Sequence, residues 1–185
     1  MEQVYGEYSI MSIDRILADI TSRGVSHKNR FEVVVGRVPG LPNTDSLVFS
    51  CEVASIPGRG YDVGERITYG PIIKLPTSKL YNEFTATFRC DAQMSEKIFF
   101  DDWFDLIAVK DEHHFNYYDE YTSTITVSQL NGANKSTYKA ELKEAYPTIV
   151  GDLMLDHAAQ NEIHKLEVTF AYKEWDRVSG NAAAL

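Results

Sequence analysis

A chain of 185 residues is long enough for one self-sufficient core, which at this size takes roughly 70% of the unfolded chain's surface out of water. Hydrophobic residues make up 44% and charged residues 24%, the balance of an ordinary folded domain. The 27 acidic residues against 18 basic give a net charge of −9. That argues against a surface built to grip nucleic acid, since such affinity comes from Lys and Arg on phosphates. No apolar run approaches the ~20 residues of a membrane span. The opening MEQVYGEYSIMS lacks the basic-then-apolar order of a secretory signal, so a soluble, non-secreted chain is expected. Cys51 and Cys90 lie in strand-like runs and are expected as reduced core thiols; they could pair only if those strands were neighbours. The expectation is one domain over 1–185, with an N-terminal arm (1–11), a core (12–176) and a flexible small-residue tail (177–185).

In chain order, SIDRILADITSRG places Ile13, Ile16, Leu17 and Ile20 at i, i+3, i+4 and i+7. This predicts an amphipathic helix with Ser12 as N-cap and Gly24 just past its end. From Arg30 the period changes to two. RFEVVVG sets Phe31, Val33 and Val35 on one face, and LVFSCEVA does the same with Leu47, Phe49, Cys51 and Val53. PGLPN between them is a turn cluster. The stretch from Ser55 to Tyr81 is rich in Gly and Pro and reads as a long loop with a short strand over 66–69. At about 25 residues it exceeds an ordinary connection, and such loops bind something or are disordered. Tyr61, Ile67, Tyr69, Ile72 and Ile73 argue against disorder.

EFTATFR predicts a strand with Phe84, Ala86 and Phe88 inward, and SEKIFFDDWFDLIAV returns to helical spacing, with Phe99, Trp103 and Ile107 in line and Ser95 as cap. After a tyrosine-rich link, YTSTITVSQ and STYKAELKEA predict strands joined by the hairpin turn NGANK. The closing stretch, 163–175, alternates: Leu166, Val168, Phe170 and Tyr172 to one side, Lys165, Glu167, Thr169, Ala171 and Lys173 to the other. The fold class expected is mainly β (α+β), an antiparallel sandwich or barrel-like domain with two short helices and a wet sheet face. Long strands with open edges invite pairing with another chain, and a ring of subunits can close a barrel through them.

Chemistry is scarce. KDEHHFNYYDEY gathers Asp111, Glu112, His113, His114 and Asp119, but adjacent histidines point apart in helix and strand alike, and no HExxH or HxH spacing appears. A solvated loop is the simpler reading. His157 and His164 lack a third ligand, no GxSxG elbow is present, and neither cysteine has a local histidine. PGRG at 57–60 lacks the pattern and context of a phosphate loop. Asp101 and Asp102 read as the solvated side of an aromatic-rich helix. No catalytic residue, metal site or cofactor is expected.

The C-terminal stretch carries a more specific pattern. YPTIVGDLMLD followed by NEIHKLEVTFAYKEW resembles the closing signature of tail tube proteins from contractile-tailed bacteriophages. In that pattern an aromatic-Pro-Thr turn leads through a Gly-acidic-Leu stretch to an Asn-Glu-Ile step and a last strand ending near Trp. Here these are Tyr146, Pro147, Thr148, Gly151, Asp152, Leu155, Asn161, Glu162, Ile163, Val168, Phe170, Tyr172 and Trp175. RFEVVV, CEVASIPG, FTATFRCD and IFFDDWFDLI follow the family's order upstream, so the resemblance spans roughly 12–176. The arm, the HHFNYYDEY link and the tail depart from it.

The resemblance implies a structural subunit that forms hexameric rings stacked into the inner tube of a phage tail. Each subunit's inner sheet would join its neighbours' into a continuous barrel. The partners implied are further copies of the chain, the surrounding sheath, the tape measure, the baseplate and the tail terminator. Genomic DNA would pass through without specific binding. Thr85, Thr87, Thr122, Thr124, Thr126, Lys139 and Glu141, from the wet faces, are candidates for the channel wall. Gly58, Arg59, Tyr61, Tyr69 and Pro71, in the long loop, are candidates for ring stacking. A tube-initiating baseplate protein, or the tube subunit of a type VI or other contractile injection device, shares these features. A β-sandwich binding module is the alternative from a different class.

Overall fold

The structure, a computed structural model, describes residues 13–42, 44–66, 69–108, 114–159 and 162–178. The arm, the Ser12 cap and residues 179–185 of the tail lie outside the described residues.

Helix α1 (Ile13–Arg23) forms where the apolar stripe predicts it, and Gly24 ends it with φ +73° while its N–H donates to the Ile20 carbonyl at 2.9 Å. Strand β1 (Phe31–Val35) follows, then helix α2 (Asp45–Ser50) and strand β2 (Cys51–Ala54). Here the sequence reading is corrected. LVFS is helical, with Leu47 buried and Phe49 84% exposed, and the strand begins only at Cys51. Thr44 at the start of α2 donates its hydroxyl to the Val35 carbonyl at 2.7 Å, which folds the chain back against β1 and leaves one short turn to bridge to β2. A run of apolar residues this short fits either period.

The expected long loop is a second correction. Its residues form a two-stranded ribbon of β3 (Gly60–Arg66) and β4 (Ile73–Leu80), with Arg66 closing β3 opposite Ile73 and Ile67 outside the described residues. Strand β5 (Phe84–Arg89) and helix α3 (Ser95–Ile107) match the sequence reading. Ser95 is not the cap, however. The cap position is Met94 at φ +57°, and Asp91 does the capping: its carboxylate accepts the Ser95 N–H (2.8 Å), the Ser95 hydroxyl (2.8 Å) and the Gln93 N–H (3.1 Å). In return the Glu96 carboxylate accepts the Asp91 N–H at 2.9 Å. A single turn, α4 (Tyr118–Tyr121), brings the helices among the described residues to four, where two were expected, before β6 (Ser123–Leu130), β7 (Ser136–Val150), β8 (Lys165–Ala171) and β9 (Glu174–Val178).

Apart from the ribbon, the strands form one antiparallel sheet in the order β1-β6-β7-β8-β5-β2, with β9 also on β7. Strand β7 belongs to two halves. Residues 139–143 lie between β6 and β9, whereas residues 146–150 pair with β8. The halves β1-β6-β7-β9 and β7-β8-β5-β2 share one core, with Val33, Val35, Ile125, Val127 and Leu142 from the first and Phe84, Phe88, Leu166, Val168 and Phe170 from the second. Helix α3 adds Phe99, Phe100 and Trp103. Phe170 is the hub, with ring centroids 5.8 Å from Phe84, 5.9 Å from Phe100 and 6.2 Å from Trp103. The buried Trp103 indole N–H donates to the Tyr121 carbonyl at 2.8 Å, tying the tyrosine-rich link to the core.

At the corner both β7 and its partner change phase. Leu142 and Pro147 are inward on β7, five residues apart; Phe170 and Trp175 are inward on the other side, also five apart. Glu144, at φ +52°, makes the change on β7. Opposite it, Tyr172 and Lys173 separate β8 from β9, so the closing strand expected over 163–175 is broken there. The Lys173 ammonium reaches the Glu144 carboxylate at 2.7 Å, and the Lys173 N–H donates to the Lys143 carbonyl at 3.1 Å. The expected turn at Tyr146-Pro147-Thr148 is extended strand instead, and Pro147 sits beside a ladder irregularity, where its missing N–H is tolerated.

Two outcomes are expected. Glu144→Val forces a β-branched residue into the left-handed region and should cost about 1–3 kcal/mol in chemical denaturation, whereas Glu144→Gly relieves that backbone and should cost less. The hydrogen bonds from Ser95 hold the Asp91 carboxyl below its ordinary range. A carboxyl depressed by folding stabilises above its unfolded pKa, and that stabilisation is lost as pH falls through the folded value. Asp91→Ala should therefore lower the melting temperature at pH 7, with the gap to the parent protein closing on acidification.

Candidate functional site

The acidic–histidine cluster is only partly among the described residues. Asp111, Glu112 and His113 lie outside them, and the described His, Cys, Asp and Glu residues include no group of three placed to hold a metal. Cys51 and Cys90 are both free thiols although β2 and β5 are neighbours; burial pushes Cys51 up to about 12, so it stays protonated. What the chain presents is surface.

The β3–β4 ribbon is the most prominent part of it. It pairs only with itself, and every residue of β4 is exposed. Its root is fixed by Trp175 of β9. The indole N–H donates to the Gly58 carbonyl at 3.2 Å, the Arg59 guanidinium lies 3.8 Å from the ring centroid, and Arg59 donates to the Trp175 carbonyl at 3.0 Å. Trp175 is 5% exposed, so the ribbon is anchored in the core. Of the five stacking candidates, Gly58 and Arg59 are thus engaged within the subunit. Tyr61, Tyr69 and Pro71 face outward, Tyr69 without cover of any kind.

The seven channel-wall candidates fall on two outward faces. Thr124, Thr126, Lys139 and Glu141 lie together on the half β1-β6-β7-β9, where Thr126 is opposite Glu141 and Ser128 opposite Lys139, and Thr122 sits just before β6. Thr85 and Thr87 lie on β5 in the other half, beside Thr169 and Glu167 of β8. On the first face Glu32, Glu141, Glu174 and Asp176 outnumber Lys139 and Lys143. Glu141 directly opposes Asp176, an unfavourable pairing. Lys143 offsets it, reaching Asp176 at 2.7 Å and Glu174 at 3.6 Å, which raises the lysine and holds the Asp176 carboxyl low.

The C-terminal motif proves mostly architectural. Tyr146 packs edge-to-face on Tyr121 (5.5 Å) and Tyr118 (6.2 Å), which seats α4 against β7. Gly151 donates its N–H to the Glu167 carbonyl at 2.7 Å, and a Cβ there would come within 3.0 Å of that oxygen, so a side chain would disrupt the approach. Phe170 and Trp175 are core, and Asn161 lies outside the described residues. Ile163 is exposed, as are Met154 (92%) and Leu155 (85%) on the same β7–β8 loop. The sequence reading named Leu155 as motif but missed this apolar loop tip as a surface. The only signal was a pair of large apolar residues within a Gly-Asp-rich connection.

A bent two-sheet body with an outlying ribbon is a fold with known counterparts. The family model described as phage tail tube protein matches residues 17–178. The chain belongs to the phage tail tube protein family. It is 26% identical over 171 residues to the tail tube protein gp19 of Enterobacteria phage T4, covering 90% of this chain and all of that one. Gp19 of Enterobacteria phage T6 matches to the same extent. Among solved structures, the sheath–tube complex of an extracellular contractile injection system in its extended state contains a chain that superposes with a TM-score of 0.63. Identity there is 20%, over 87% of this chain and 96% of that one. A chain of the anti-feeding prophage cap superposes with a TM-score of 0.63 at 18% identity, over 84% and 92%.

Arg59→Ala should loosen the ribbon root without unfolding the body. Backbone amides over 60–66 should exchange about tenfold faster, corresponding to the ~1.4 kcal/mol of a cation–π contact with its hydrogen bond, while the melting temperature moves little. Trp175→Ala should cost about 3–5 kcal/mol in denaturant titration, because it also empties the core.

Proposed function

We propose that the chain is the repeating subunit of the inner tube of a contractile phage tail, one tail-tube domain stacked as hexameric rings around a channel. The observation that carries this reading is the β3–β4 ribbon. A domain whose core is complete without it still fixes it rigidly at its root and leaves it uncovered, which is a cost in water unless another chain covers it. Family membership supports a structural rather than catalytic role. The sheath–tube and cap assemblies that contain the same fold support a sheath around the tube and a terminator at its end. A baseplate at the start and a tape measure inside complete the reading, and the assembled subunit resides in the virion tail.

In this reading the acidic face carrying Glu141 and Asp176 lines the channel, and DNA passes because the carboxylates there outnumber Lys139 and Lys143, so the wall as a whole does not hold phosphate. A density map with a predominantly basic channel wall would refute that assignment. The ribbon tip, with Tyr69 and Pro71, reaches the next ring. The tube of an injection device is the rival within the class, and nucleic acid inside the native tube separates the two.

The test is negative-stain electron microscopy of the purified protein over a range of concentrations, with pre-formed baseplates added if none assemble unaided. Tubes with a central channel are expected. Dispersed monomers in both conditions would overturn the reading. Tyr69→Ala should leave the monomer's melting temperature unchanged and yield shorter tubes or single rings.

A further inference from the structure

Among the described residues, two apolar elements have no cover. Helix α1 turns Ile13 (75% exposed), Ile16, Leu17 (55%) and Ile20 to solvent and makes no extended contact with any other described element. An isolated helix of 11 residues is marginal in water, so its stripe needs a surface to lie on. The ribbon supplies one. Cross-strand partners share a face, and on one face of the ribbon Leu80 is opposite Gly60, Leu75 opposite Gly64 and Ile73 opposite Arg66. Two of the three aliphatic side chains therefore face a glycine; the Thr77 methyl covers Gly64, and the Asp62–Ser78 pair lies between Leu75 and Leu80, so this face is a row of Leu and Ile with one polar gap. A helix of 11 residues is about 16 Å long, and the seven residues of β3 span about 24 Å, so the helix fits along this face.

We propose that α1 of one copy lies on the β3–β4 ribbon of the adjacent copy, along the face that carries Ile73, Leu75 and Leu80. The topology points to this pairing. Strands β1 and β9 are the opposite edges of the half β1-β6-β7-β9. Helix α1 leads into β1, and the ribbon is rooted on Trp175 of β9. Copies set side by side bring the β1 flank of one to the β9 flank of the next, a heterologous contact that repeats around a ring. Size points the same way. Seven half-exposed aliphatic residues hold on the order of 600 Å² of apolar surface, short of the roughly 900 Å² of apolar area within a stable two-body interface of ~1,600 Å². The contact is too small to hold a dimer in solution. It suits an assembly in which every copy makes it twice, once with the helix and once with the ribbon. This inference rests on the tube reading above and adds the pair of surfaces that meet.

The experiment places the photo-crosslinker p-benzoylphenylalanine at Leu17 and assembles tubes from a mixture of unlabelled and ¹⁵N-labelled protein. Cross-linked peptides of mixed isotope that join residue 17 to residues 73–80 are expected. Tubes whose cross-links map elsewhere, or only within one copy, overturn the contact and leave the tube reading standing. Failure of the unsubstituted protein to form tubes even on baseplates counts against the tube reading itself. Leu17→Asp and Leu75→Asp, both at exposed positions, should each raise the concentration needed for tube growth at least tenfold, with circular dichroism and melting of the monomer unchanged. Growth of either variant at the parent concentration would sink the proposal.

Discussion

The ladder between β7 and the paired strands β8 and β9 keeps one register from Lys139 opposite Val178 to Pro147 opposite Phe170, and both halves of the body hang from it. A continuous ribbon cannot serve two sheets that share a core unless it turns, and turning it would ordinarily send its apolar side chains to the outside. The chain meets that constraint by changing phase on both strands at the same place. Glu144 takes the left-handed conformation, and Tyr172 and Lys173 leave the ladder opposite it. Leu142 with Trp175, and Pro147 with Phe170, then all point to one interior. The Glu144–Lys173 ion pair is exposed and adds little energy by itself. Its place marks where the two departures coincide.

How much of this could be read from the residues depends on which scale each feature uses. The alternation of Phe84, Ala86 and Phe88, and of Leu166, Val168 and Phe170, is a local pattern, and the strands are where it puts them. The helix over Phe99, Phe100 and Trp103 was equally plain. Gly24 ended α1 as its position suggested. By contrast, Leu47 and Phe49 fall on one face of a two-residue period with Cys51 and Val53, as in a strand, yet they are helical, because a backward bond from Thr44 to Val35 decides the path there. The ribbon was read as a loop because both its faces meet solvent, so no inward period marks it. The phase change at Glu144 has no sequence signal at all; glycine or asparagine would have announced it. Of the candidate surface residues, Tyr69 and Pro71 are exposed in the subunit. Arg59 was singled out by its exposed-loop context, and its partner Trp175 lies 116 positions away, a contact that only the folded chain brings about.

The distribution of apolar surface separates two kinds of residue that composition alone merges. Phe170 and Trp103 are apolar for the sake of the subunit and lie wholly inside it. Ile13, Leu17, Tyr69, Ile73, Met154 and Leu155 are apolar and lie outside, on elements joined to the body at one end or by one loop. A monomeric protein of this size would bear aggregation risk from such elements, and the net charge of −9 opposes that by keeping copies apart until ordered contact is made.

The anchoring of the ribbon on Trp175 also fixes how the body would carry a mechanical load. A pull on the ribbon enters through Gly58 and Arg59 and passes to the indole and carbonyl of Trp175, the second residue of β9. That strand is bonded along its length to β7, from Glu174 to Val178. Force directed along β9 would act on those ladder bonds in parallel, so that they resist together instead of parting one after another. The C-terminal strand would then behave less as the end of a sheet than as a tendon, transmitting to the sandwich whatever strain its neighbours impose.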